Sequence, residues 1–144
     1  MGNLNIAGYF RHIRYGPDWN HDIATSDKEF LPALAAGTLP QVSFLIPDET
    51  STDGAGSPSL GPTYIKAVVN AFGESPYYKN SLMVITWDDW GGWYDHVVPP
   101  TRADGSHLSW RKPVIFVGGY VKHGYVSHVQ NRRRVDRRVD RTSL

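Results

Sequence analysis

Cysteine is missing from the 144-residue chain. That excludes disulfides and thiolate metal sites and leaves the compartment open. No run of 18 apolar residues occurs, so the sequence predicts no membrane-spanning helix. No secretory leader is visible in the polar and aromatic start "MGNLNIAGYFRHIRYGPDWNHD". Ile6 stands where a myristoylation signal has Ser or Thr. Charge of one sign is also scarce, since 15 Lys and Arg oppose 14 Asp and Glu for a net +1. The balance is uneven along the chain. Residues 131–144 hold six arginines against two aspartates, a local +4, which leaves the remainder at −3. This tail contains the tandem repeat RRVD-RRVD over residues 133–140. It reads as a solvated basic end, and no nucleic-acid partner is expected. Its apolar residues, Val135, Val139 and Leu144, are too few to bury a face. The predicted organisation is therefore a body over 1–130 and a divergent tail over 131–144.

The body has a globular composition, 40% hydrophobic, 12% aromatic and 20% charged, enough for one modest core. A short helical turn is predicted from Phe30 to Ala36, ended by Gly37. "QVSFLIP" (41–47) reads as a buried strand stopped by proline. A polar Gly/Ser loop follows over 48–61. Gly61 then suits an N-cap and Pro62 the first helical position. Ile65, Val68, Val69 and Phe72 form one apolar stripe at helical spacing, and Gly73 is a natural stop. "LMVITW" (82–87) and "PVIFVGG" (113–119) read as two further buried strands. Strand, helix, strand in that order predicts a right-handed βαβ unit and an α/β fold with a parallel sheet.

In such sheets ligands bind at the carboxyl ends of the strands. Asp88 and Asp89 stand at one such end. Side chains of adjacent strand residues point to opposite faces, so one shared site requires a bend, which Gly91 and Gly92 permit. Two neighbouring carboxylates repel unless one takes a proton or a cation lies between them. A divalent metal with oxygen ligands resolves that repulsion, and the pair reads as half of a metal site. The structural alternative is that both aspartates cap the following turn. His96 is a candidate third ligand or proton donor. Trp87, Trp90, Trp93 and Tyr94 read as core and rim rather than as a substrate platform.

The segments "LPQVSFLIPDETSTDG", "GPTYIKAVVNAFGESPYYKNSLMVITWDDWGGWYDHVVPP" and "KPVIFVGGYVKHGYVSH" carry a resemblance. From about Tyr9 to His128 the chain resembles the C-terminal part of the bacterial phosphoesterase family of phospholipases C and acid phosphatases. The run from Trp87 to Pro100, with its DD-x-GG-x-YDHV-x-PP pattern, is the most specific part. The resemblance implies a partial alkaline-phosphatase-like parallel sheet with flanking helices. It implies hydrolysis of phosphate mono- or diesters, phospholipids among them, through a Ser or Thr nucleophile. It also implies a divalent metal, of unspecified identity, held by a Glu-Asn pair, the nucleophile and an Asp-Asp pair. The last of these falls on Asp88 and Asp89, with His96 as a candidate acid or as a partner of a metal ligand. Family members are often exported. The chain departs from the pattern in three places. It has no Glu-Asn dipeptide, Gly54 replaces the histidine of a Ser-Asp-His-Pro motif, and the end after "YVSH" is unlike the usual helix. The resemblance places the nucleophile upstream, so the expectation is an incomplete chain whose partner is a missing N-terminal portion. A non-catalytic metal- or carbohydrate-binding module, or an inactive fragment, is the alternative.

Overall fold

A computed structural model describes residues 6–23, 29–47, 60–90 and 93–129. A 3₁₀ turn (Ile6–Tyr9) and two single-turn helices, α1 (Arg11–Arg14) and α2 (Trp19–Asp22), precede α3 (Phe30–Ala36) and the long α4 (Leu60–Glu74). Two strands follow, β1 (Met83–Thr86) and β2 (Val114–Val117). The expected tail over 131–144, the loop over 48–59 with Gly54, and Gly91–Gly92 lie outside the described residues.

α3 has the expected bounds. Gly37 adopts φ 71°, the left-handed geometry that costs a glycine least, and the Gly37 and Thr38 N–H groups close onto the Leu34 and Ala33 carbonyls. α4 starts at Leu60, so Gly61 lies inside it, buried, rather than capping it. The helix runs one residue past Gly73, and the Ser75 hydroxyl and N–H then both donate to the Phe72 carbonyl, at 2.7 and 3.1 Å. The apolar stripe is the face that packs. Val68 and Phe72 are buried with Leu34 of α3, at 7%, 4% and 1% exposure, and these three form the apolar core of the described residues. Beyond α4 the chain turns back under this core. Tyr78 meets the Phe72 ring edge-to-face at 5.8 Å, and the Tyr77 hydroxyl donates to the Leu39 carbonyl at 3.2 Å.

The sheet corrects three expectations. β1 and β2 pair antiparallel, Met83 with Val117 through Thr86 with Val114, and not parallel. Among the described residues no helix separates them, so the chain simply returns along its own path, whereas a parallel pair needs a crossover. Residues 41–47 form no strand and lack a ladder partner among the described residues, with Phe44 88% exposed. The expected βαβ unit therefore loses its first strand. The strands are also not buried, since Val84, Val114, Ile115 and Phe116 are each about half exposed. α4 spends its apolar stripe on α3, which leaves the faces of a two-stranded sheet open. The mix of helix and strand stands; the parallel arrangement does not appear.

Two glycines join the sheet to the helical part. The Gly119 N–H donates to the Tyr78 carbonyl at 2.9 Å, and a Cβ on Gly118 would clash with the Ser81 carbonyl oxygen. That oxygen belongs to backbone and has little room to retreat. Gly118→Ala is expected to destabilise the chain by about 1–3 kcal/mol, the range for a strained backbone position. Thermal melting followed by tryptophan emission checks it, and Gly105→Ala is a control for positive φ in open space.

Candidate functional site

β1 delivers the acidic pair. The strand ends at Thr86, Trp87 is half-buried, and Asp88 and Asp89 follow in a bend with both side chains exposed. The position at the carboxyl end of a strand is the expected one, although the strand belongs to an antiparallel pair. The Asp88 carboxylate turns back and accepts the Asp89 N–H at 3.0 Å. The bond is to the next residue and not to the N–H two residues on that an Asx-turn cap takes, and it occupies one of the several lone-pair sites a carboxylate offers. The Lys112 ammonium donates to the Asp88 backbone carbonyl, which places a positive charge beside the bend.

Further along the loop, Asp95 is the most heavily used acid among the described residues. Its Oδ1 accepts from Arg111 Nη2 at 2.7 Å and from the Val97 N–H at 3.1 Å. Its Oδ2 accepts from Arg111 Nε at 2.9 Å and from the Arg111 N–H at 3.4 Å. The side chain of Asp95 is 13% exposed and that of Arg111 67%. The Arg111 side-chain hydrogen bonds, opposed by a smaller effect of burial and reinforced by the two backbone N–H groups, hold the Asp95 carboxyl well below its ordinary 3.8. A carboxyl depressed in the folded state contributes stability in full above its unfolded value and loses it as pH falls through the depressed value. The pair is therefore expected to persist unchanged from pH 8 down to about pH 4 and to open only in stronger acid. An NMR titration of the Arg111 Nε–H checks this; a midpoint at or above the ordinary carboxyl range contradicts it.

His96 is exposed and stands edge-to-face on Tyr94, ring centres 5.1 Å apart at 90°. Tyr94 also lies 6.3 Å from Trp110. Trp90, Trp93 and Tyr94 are exposed, so these rings form rim and not core. The loop closes through a small hairpin, in which the Leu108 N–H bonds the Pro100 carbonyl at 2.9 Å. At its tip Asp104 accepts from the Ser106 hydroxyl at 2.6 Å and the Ser106 N–H at 2.9 Å, bonds that lower its pKa.

The exposed carboxylates of Asp88 and Asp89 are hard oxygen donors of the kind a divalent cation takes. They fit such an ion as a partial ligand set. No group of three or more His, Asp or Glu side chains able to hold a metal comes together among the described residues, so His96 does not complete the set there. Sequence reasoning missed the Asp95–Arg111 pair. Its partners are 16 residues apart, on either side of an irregular loop, where no periodicity links them. The one available signal was the placement of Arg111 and Lys112 just before a strand, opposite the acids that follow the other strand.

No helix among the described residues is long and apolar enough to cross a membrane. No solved structure matches the chain significantly. Among curated proteins, non-specific phospholipase C6 of Arabidopsis thaliana is 30% identical over 86% of this chain and 28% of its own length. Phospholipase C A of Mycobacterium tuberculosis (strain H37Rv) is 28% identical over 54% of this chain and 15% of its own. Phosphatidylinositol-3-phosphatase of the same organism is 30% identical over 60% of this chain and 24% of its own. The chain thus spans less than a third of the length of each, and the relatives come from plants as well as bacteria. The phosphoesterase family profile matches residues 4–143, through the acidic bend, the Asp95–Arg111 loop and on into the arginine-rich tail. With nearly its whole length matched, the chain belongs to the phosphoesterase family.

Proposed function

We propose that the chain contributes part of the active site of a metal-dependent phosphoester hydrolase of the phospholipase C type. The observation that carries this reading is the exposed Asp88–Asp89 pair at the exit of β1, inside a chain matched almost end to end by the phosphoesterase profile. Asp88 and Asp89 would hold a divalent cation. When bound, that cation supplies polarisation of phosphoryl oxygens and stabilises the charge that builds on them. The chain's own residues do the rest of what can be assigned. Asp88 bonds the Asp89 N–H, Lys112 adds positive charge beside the pair, and His96, which is exposed, would serve as proton donor to a leaving group.

The substrate class in this reading is a phosphate ester, with phospholipids favoured because two of the relatives are named phospholipases C. The nucleophile is assigned to no residue of this chain. An upstream portion would supply it together with the Glu-Asn pair. Export from the cytoplasm is part of the same proposal and rests on the resemblance alone. A second reading, a non-catalytic metal- or carbohydrate-binding module, is favoured by the exposure of Trp93 and Tyr94, at 76% and 77%.

The test is calorimetric titration with inorganic phosphate in the presence of calcium, magnesium, manganese or zinc, beside turnover of chromogenic phosphate mono- and diesters. Phosphate binding that needs the metal and both aspartates is expected, with turnover at background. Phosphate binding that ignores the metal contradicts the reading. Robust turnover by this chain alone would contradict the assignment of the nucleophile to an upstream portion. Binding of a sugar instead of phosphate would favour the module.

A further inference from the structure

The loop between β1 and β2 is tied across by three consecutive residues of the returning chain. The Thr86 hydroxyl donates to the Pro113 carbonyl at 3.2 Å, the Lys112 ammonium to the Asp88 carbonyl, and Arg111 grips both Asp95 oxygens through Nε and Nη2, one edge of its guanidinium. Residues 113, 112 and 111 thus meet residues 86, 88 and 95 in order; Lys112 and Asp88 keep the register of the Thr86–Val114 ladder, and Arg111 reaches Asp95 six residues out of it. The second tie falls on Asp88 itself, through its carbonyl, and Asp89 lies between the second and third. The first lies on the β1 side of the pair. The third is the one on its far side, and it is also the strongest in kind, a bidentate, charge-assisted contact on a carboxylate that is almost covered.

We propose that Asp95 and Arg111 are positioning residues for the Asp88–Asp89 pair, anchoring the loop beyond it so that both carboxylates are held for one cation. The proposal rests on the reading of that pair as metal-bearing. Neither Asp95 nor Arg111 touches the ion in this scheme; they act through the loop. A lysine at 111 keeps the charge but presents a point donor where the arginine presents a planar fork, so it cannot hold both carboxylate oxygens in the same way. Groups hydrogen-bonded directly to metal ligands typically change metal affinity by about 10–100-fold when removed; Asp95 and Arg111 act one step further out, through the loop, so the lower end of that range is expected.

The experiment uses the full chain and the variants Arg111→Lys, Asp95→Asn and Asp88→Asn/Asp89→Asn. Three quantities are measured: Mn²⁺ affinity by electron paramagnetic resonance, amide exchange across residues 88–97, and helical melting by circular dichroism. Arg111→Lys and Asp95→Asn are expected to weaken Mn²⁺ binding about tenfold and to speed exchange at the Asp89 and Val97 amides. Helical melting should be unchanged, because the buried α3–α4 contacts do not involve the loop. Wild-type Mn²⁺ affinity in both variants overturns the proposal. So does a loss of affinity that comes with helical melting, since that is general unfolding. If wild type and Asp88→Asn/Asp89→Asn bind Mn²⁺ alike, the metal reading of the pair falls. Exchange then decides for Asp95 and Arg111 separately: faster exchange sustains their hold on the loop, and unchanged exchange removes it.

Discussion

Phe72→Ala is expected to unfold the α3–α4 unit rather than merely loosen it. Leu34, Val68 and Phe72 are the apolar side chains buried among the described residues, and Phe72 is the largest of them. Truncating a buried phenylalanine costs about 3–5 kcal/mol, because the transfer energy is lost and a cavity remains. The edge-to-face contact with Tyr78 goes as well. Against a whole-domain stability of about 5–15 kcal/mol, that is a large fraction. In a domain of about 60–100 cooperative residues each kcal/mol moves the melting temperature by about 4–8 °C. The variant should therefore melt more than about 12 °C lower, or show no cooperative transition. Circular dichroism at 222 nm reads this directly through α4. A fall of only a few degrees would mean that the main stabilising contacts lie elsewhere.

Local signals in the sequence carried well where a single segment decides its own structure. The stripe of Ile65, Val68, Val69 and Phe72 forms α4, and its two most buried members are two of the three core residues. Phe30–Ala36 with Gly37 forms α3 and its left-handed cap. Both strand runs that flank the acidic loop are strands, and Asp88–Asp89 sits at the exit of the first. What failed depends on which segments meet. An apolar run such as "QVSFLIP" has strand composition, but a strand exists only where a neighbour supplies a ladder, and none does among the described residues. Direction of pairing is likewise a property of two segments and their connection, so the parallel sheet could not be read from the runs alone. The candidate site shows the same division. Asp88 and Asp89 announce themselves by adjacency. Asp95 and Arg111 become partners only when the loop folds back.

The second large effect concerns that adjacent pair. Asp88→Asn/Asp89→Asn removes two negative charges and keeps the shapes, so the Asp89 N–H can still bond the side chain at position 88. The turn should survive and helical melting should stay as it was. Cation binding should not survive, because amide oxygens are neutral and far poorer donors for a hard divalent ion than carboxylates. The partial ligand set sets the scale for the unaltered chain. With water filling the remaining positions, the dissociation constant should be on the order of 10⁻⁴ to 10⁻³ M, as in ligand-poor calcium modules. A cation at this site should raise the melting temperature slightly by mass action.

The most direct measurement is an electron paramagnetic resonance titration of the full chain with Mn²⁺, with and without Asp88→Asn/Asp89→Asn, at neutral pH. If the acidic pair is the cation-holding part of a phosphoesterase site, the unaltered chain binds one Mn²⁺ and the double variant binds it more than tenfold more weakly. Equal binding by the two chains, or none by the unaltered chain at millimolar Mn²⁺, would contradict that assignment and leave the two aspartates as polar residues of the bend after β1.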